Sequence, residues 1–109
     1  MTDQDILQFV AITAGGRAYD IDFPLHPETR SAASVADLVT RLLEVVSEHA
    51  GTRDDVSEGD ILQGLAMTLA IRGRMLEGDL QQVEALSRAL YASAWGATSA
   101  ARAFLAARA

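Results

Sequence analysis

The sequence predicts a small, mainly α-helical α+β fold in which an N-terminal β-hairpin is followed by three helices. Three observations favour it. Residues typical of strands surround a Gly-Gly pair near the start, and most of the remaining chain repeats apolar residues at helical spacing. The length of 109 residues is also that of one domain. We therefore expect a single domain over residues 1–109, with a three-helix region over residues 34–109.

The hairpin is expected over residues 6–23. Its first half is rich in β-forming side chains, and the Gly15-Gly16 pair is typical of a turn. Apolar and polar residues then alternate through residues 19–23, which is the pattern of a half-buried strand. The alternative is a short first helix over residues 3–13 that the glycines terminate.

The first helix is expected from Val35 to Ala50, after a linker over residues 24–33 that contains both prolines. Ser34 is the predicted N-cap, because a serine hydroxyl can accept from the free backbone N–H groups of the first turn. The apolar residues of this segment share one side of a helical wheel, which indicates a helix with one buried face.

The second helix is expected from Glu58 to Glu77, with Ser57 and Asp60 in the spacing of a capping box. Its apolar residues form two stripes and leave only a narrow polar arc. A helix that is apolar on most of its circumference packs on two sides or against another chain.

The third helix is expected from Leu80 towards Arg108. Gly78-Asp79 predicts a sharp joint before it, since glycine suits the position just past a helix and aspartate suits the start of the next one. The last two helices should therefore form a tight antiparallel αα-hairpin.

Composition narrows the chemistry that this chain can perform. The sequence has no Cys and no Lys, which excludes a thiol nucleophile, a Schiff-base lysine and a phosphate-loop lysine. It also contains none of the common nucleotide-binding, zinc-protease or nucleophile-elbow motifs. We expect a non-catalytic protein without a cofactor, although an enzyme with its site between subunits stays open.

The net charge and the length of the apolar runs argue against two classes of partner. The net charge is −6, whereas a protein that binds a nucleic-acid backbone needs a basic face. No apolar run approaches the ~20 residues that a membrane-spanning helix needs. The N-terminus is acidic and does not resemble a secretory signal, so we expect a cytoplasmic protein.

The best candidate for a partner-binding surface surrounds Trp95. The helical wheel places this residue outside the apolar stripe of the third helix, on one face with Tyr91, Arg88 and Arg102. Aromatic residues bordered by arginine are typical of interaction hot spots. The sequence therefore predicts self-association through the C-terminal helices or binding of an unknown protein. The alternative is that the hairpin simply covers Trp95.

Arg72 is the other residue that breaks the pattern, because it falls on the main apolar stripe of the second helix. Its guanidinium either pairs with an acidic residue of the same chain or extends away from the apolar stripe into solvent. The functional alternative is a small anionic ligand, held by Arg72 in a pocket between helices. The set Asp20, Asp22 and His26 matches no zinc or calcium pattern, so we expect no metal site.

Overall fold

A computed structural model describes residues 5–105 of the chain. It confirms an N-terminal hairpin followed by three helices, and it adds a third strand near the C-terminus. In chain order the elements are β1 (Ile6–Ile12), β2 (Arg17–Pro24), α1 (Ala32–Gly51), α2 (Glu58–Arg74), α3 (Leu80–Ser99) and β3 (Arg102–Leu105).

The predicted hairpin forms from β1 and β2, so the alternative of a short first helix is wrong. The strands pair antiparallel, with Ile12 opposite Ala18 at the turn end. At the turn, the backbone N–H of Gly16 donates to the carbonyl of Thr13 at 3.0 Å. Gly16 has a φ of +89°, a conformation that side chains disfavour, which explains why the turn uses glycine.

The third strand corrects the predicted third helix, which ends at Ser99 instead of continuing towards Arg108. Strand β3 then pairs antiparallel with the free edge of β2 and gives the strand order β1-β2-β3. The alanine-rich composition favours a helix locally. Strand formation depends more on the neighbouring strand, and β2 supplies an edge whose backbone groups need partners. The end of the predicted helix beyond Leu105 lies outside the described residues.

Helix α1 begins about one turn earlier than predicted, which shortens the expected linker. The N-cap is Ser31 and not Ser34, because the Ser31 hydroxyl accepts from the Ser34 backbone N–H at 3.0 Å. Both serines have suitable side chains, and the sequence pattern does not distinguish two candidates one turn apart. An ion pair between Asp37 and Arg41, at 2.8 Å, lies on the exposed side of the helix.

The predicted capping box of α2 is confirmed, because both of its hydrogen bonds are present. The Asp60 backbone N–H donates to the Ser57 hydroxyl at 3.1 Å, and the Ser57 backbone N–H donates to the Asp60 carboxylate at 3.2 Å. The helix ends at Arg74, three residues before the predicted end at Glu77.

The joint between α2 and α3 uses the predicted glycine. Gly78 has a φ of +129°, where a side chain would strain the backbone. The Asp79 carboxylate then accepts from the Gln81 backbone N–H at 2.9 Å, at the start of α3. Just before the joint, a Cβ added to Gly73 would lie 3.2 Å from Val83 Cγ1.

The described residues group into two compact units. One unit contains residues 5–36 and 88–105, and its buried side chains are Ala18 at 1% exposure and Ile21 at 6%. Both lie in β2, the central strand. The other unit is Asp37–Ser87, in which none of the residues is buried. In the part of the chain that is described, no helix has the length and apolar character required to cross a membrane.

The position of the α1 cap leads to a first prediction. Replacement of Ser31 with Ala should lower the free energy of unfolding by about 1 kcal/mol, because the N–H of Ser34 loses its acceptor. The matched control Ser34→Ala lies inside the helix and should change it by less than about 0.5 kcal/mol. Urea unfolding followed by circular dichroism measures both. A larger loss for Ser34→Ala would contradict the observed cap.

Candidate interaction surface

Tyr91 and Trp95 lie one turn apart on α3 and form a stacked pair. Their ring centroids are 6.2 Å apart and the ring planes differ by 27°. Residues four positions apart are neighbours on a helix surface, so the sequence spacing alone brings these rings together. Stacking at this separation suits the quadrupoles of the two rings.

Both rings are largely exposed in the part of the chain that the structure describes. Tyr91 is 62% exposed and Trp95 is 61% exposed, so the alternative in which the hairpin covers Trp95 is not what the structure shows. Arg88 is also exposed and lies three positions before Tyr91, at a spacing that places both on one side of the helix. We call Arg88, Tyr91 and Trp95 the aromatic–arginine face.

Local hydrogen bonds hold the end of the helix that carries this face. The Thr98 hydroxyl donates to the carbonyl oxygen of Trp95 at 2.9 Å, which gives a partner to one of the last carbonyls of α3. The backbone N–H of Ala100 then donates to the carbonyl of Gly96 at 3.1 Å. The backbone beneath Trp95 is therefore well defined although its ring is exposed.

Arg102 does not belong to the aromatic–arginine face, contrary to its predicted position on the third helix. It lies on β3, where its guanidinium is 3.4 Å from the Asp20 carboxylate of β2. The Gln8 side-chain amide donates to the other oxygen of Asp20 at 3.2 Å. Asp20 thus links all three strands on one face of the sheet. The alternation of residues 19–23 predicts that Asp20 lies on one face of a strand, but no sequence pattern indicates its two partners.

Arg72 lies in the last turn of α2 with its side chain exposed. Within residues 5–105 no carboxylate oxygen lies within 4.0 Å of it, so the expected internal salt bridge is not formed there. A cation at the C-terminal end of a helix interacts favourably with the helix dipole. Arg74 lies in the same last turn of α2. This location gives Arg72 a role that needs no ligand.

The acidic residues and histidines do not converge on a metal site. The described part of the chain contains no group of three or more His, Asp or Glu placed to hold a metal ion. His26 has a local function instead, because its Nδ1 accepts from the Glu28 backbone N–H at 3.1 Å.

A second exposed surface lies on α2, where large apolar side chains occupy opposite sides of the helix. Leu62, Leu65 and Leu69 form one stripe, and Met67 and Ile71 lie on the other side at about 180°. All five are exposed, from 41% for Leu65 to 67% for Leu62. Within Asp37–Ser87 both stripes are left exposed, which is unfavourable for side chains of this size.

Comparison with known proteins assigns no relative, because no family model, curated protein or solved structure matches this chain. Function is therefore inferred from the residues and their geometry.

The cross-strand link at Asp20 leads to a second prediction. Asp20→Ala removes the acceptor of both Gln8 and Arg102 and should lower the free energy of unfolding by about 1–2 kcal/mol. Arg102→Ala removes one exposed ion pair and should cost less than about 1 kcal/mol. Urea titrations of both variants at one protein concentration test the order. A greater loss for Arg102→Ala would show that Arg102 has a further contact.

Proposed function

We propose that this protein is a non-catalytic interaction module that forms a homodimer through its C-terminal helices, α2 and α3. The observation that carries the proposal is the number of large apolar side chains that these two helices leave in water. Large apolar side chains grouped on an exposed surface are typical of sites where proteins associate. The exposed set comprises Leu62, Leu65, Met67, Leu69, Ile71, Leu80, Leu86, Leu90, Tyr91 and Trp95.

The aromatic–arginine face supplies the anchors of this association. Tyrosine and tryptophan present large, rigid surfaces, and with arginine they dominate the binding energy of many interfaces. Tyr91 and Trp95 are already stacked before any partner binds, so little side-chain freedom is lost on association. Arg88 borders the aromatic pair on the same side of the helix, as arginine often does in interfaces.

An antiparallel arrangement of α2 and α3 is part of the proposal. Gly78 and Asp79 leave a joint of few residues between the helices, which favours a reversal of the chain. The close approach of Gly73 to Val83 supports contact beside that joint.

Sedimentation equilibrium of the full chain and of Trp95→Ala tests the proposal. If Trp95 is an anchor, its loss should cost about 2 kcal/mol or more of binding energy, which weakens the dimer at least about 30-fold. Ser93→Ala is the matched control, because it lies on the same helix, on the side away from the aromatic pair, and should leave the dissociation constant unchanged. A wild-type chain that stays monomeric at millimolar concentration would contradict the proposal.

The fluorescence of Trp95 gives an independent test, since it is the only tryptophan in the chain. Its emission should shift to shorter wavelength and become less accessible to iodide as protein concentration rises, because the partner removes the ring from water. Emission that does not change between the monomer and the dimer would place Trp95 outside the contact.

A further inference from the structure

We infer that the outer edge of β1 is a second interaction surface, on which β1 of a second copy pairs antiparallel about a two-fold axis at Phe9. The two three-stranded sheets then form one continuous sheet. The inference goes beyond the proposed homodimer, because it uses a strand edge and none of the residues assigned to the contact through α2 and α3. A chain that uses both contacts assembles into species larger than a dimer, since each contact has its own two-fold axis.

Strand β1 lies at one edge of the sheet and directs a row of backbone groups away from β2. The Leu25 N–H donates to the Asp5 carbonyl and the Thr13 N–H donates to the Arg17 carbonyl, both at 2.8 Å. These bonds close the two ends of the ladder, and hydrogen-bonded pairs alternate with non-hydrogen-bonded ones between them. The residues of β1 whose N–H and C=O groups point outward are therefore Ile6, Gln8, Val10 and Ile12. We call these four the outward residues.

The partner that such an edge accepts is another extended strand. The described residues contain three strands, and none of them pairs with the outer edge of β1. Backbone groups within the helices are already bonded inside each helix, so α1, α2 and α3 cannot continue the ladder. This requirement follows from the strand pairing alone.

The two edges of the sheet differ in how well they are protected from pairing. Strand β3 has 4 residues and includes Arg102, and a short strand with a charge is a common protection of an edge. Strand β1 has 7 residues without a charge or a proline, and its register with β2 is continuous from Ile6 to Ile12. The lack of protective features on β1 indicates an edge that serves association.

The length and register of β1 suit an antiparallel copy of the same strand. An axis at Phe9 sets Ile6 opposite the partner's Ile12 and Gln8 opposite the partner's Val10. Every outward residue then lies opposite another outward residue, so the whole row gains hydrogen-bond partners. A shift of one residue would set this row opposite groups already bonded to β2 and would reverse the faces. A shift of two residues would leave one end of the row without a partner in β1.

The side chains agree with this register. With the axis perpendicular to the sheet, Leu7, Phe9 and Ala11 of both copies lie on the same face and form one apolar row. Phe9 lies opposite the partner's Phe9, and aromatic cross-strand pairs stabilise a sheet. On the other face Ile6 lies opposite the partner's Ile12, and both residue types are exposed in the described part of the chain. The pairing therefore joins apolar side chains on both faces.

The charge of this part of the chain favours a second copy over a charged partner. Residues 5–36 and 88–105 contain 4 acidic residues and 4 Arg, which gives a net charge of zero. Two such sheets approach without net repulsion. The charge next to the strand is Asp5, which this register sets opposite the partner's Thr13. Parallel pairing in register would instead set two Asp5 carboxylates side by side, which is unfavourable.

Hydrogen exchange in Trp95→Ala tests the β1 contact apart from the helical contact. Sedimentation equilibrium of the same samples, from micromolar to millimolar concentration, identifies monomer and dimer. The amides of Leu7, Phe9 and Ala11 face β2 and should be protected in both states. The amides of the outward residues should exchange at least about tenfold more slowly in the dimer than in the monomer. A chain that stays monomeric at millimolar concentration, or outward amides already protected in the monomer, would overturn the inference.

Val10→Pro and Val10→Thr test the same contact by mutation. Proline at position 10 removes an N–H that points away from β2, so the pairing of β1 with β2 is retained. Two-fold symmetry removes this bond twice, and we expect the β1 contact to weaken about 30-fold. The matched control Val10→Thr keeps the N–H and the branched shape and should bind within about threefold of the parent chain. Equal dimerisation of the two variants would contradict the β1 contact. If Val10→Pro does not fold, the exchange measurement decides, because it leaves β1 unaltered.

The proposed homodimer and the β1 contact fail in different ways. A dimeric wild-type chain and a monomeric Trp95→Ala chain whose outward amides exchange freely would overturn the β1 contact and leave the homodimer intact. A wild-type dimer that Val10→Pro dissociates and Trp95→Ala does not would support the β1 contact and contradict the homodimer. Outward amides that gain protection only when a different protein is added would overturn the second copy as the occupant of this edge.

Discussion

Every level of this structure depends on how its apolar side chains are removed from water. Half of the residues are hydrophobic, yet the buried apolar residues are Ala18 and Ile21 in the central strand. The hydrophobic effect is the main favourable term in folding. In the described residues, most of the large apolar side chains of the helices are exposed. Hydrogen bonding is satisfied locally at the turns and at the helix starts. The large apolar side chains that α2 and α3 leave exposed are the basis of the proposed association.

The elements that the sequence predicts well are those set by local interactions. The hairpin follows from alternation around Gly16, and the starts of α2 and α3 follow from Ser57 and Asp79, whose side chains accept from nearby backbone N–H groups. These features depend on a few neighbouring residues and not on the rest of the fold. For the same reason the prediction of Ser34 as the N-cap of α1 is wrong, since Ser31 meets the same local requirement for a cap.

Strand β3 and the position of Arg102 show where local reasoning fails. Residues 102–105 have apolar spacing that fits a helix, but they pair with residues more than eighty positions earlier. The pairing depends on a free edge of β2, which a helical wheel does not represent. Arg88, Tyr91 and Trp95 lie on one helix, as predicted. The prediction that Arg102 lies on the same helix is wrong, because α3 ends at Ser99.

The proposed association follows from the same feature of the sequence. The second helix is apolar on opposite sides, and large side chains of both sides are exposed in the described residues. The distribution of charge along the sequence also favours the proposed association. Two chains with a net charge of −6 repel one another, but most acidic residues lie before residue 61, outside most of α2 and all of α3. Screening by salt limits repulsion to about 10 Å, so the location of charge matters more than its total. The helices that carry the exposed apolar surface are thus also those that two copies can bring together at low electrostatic cost.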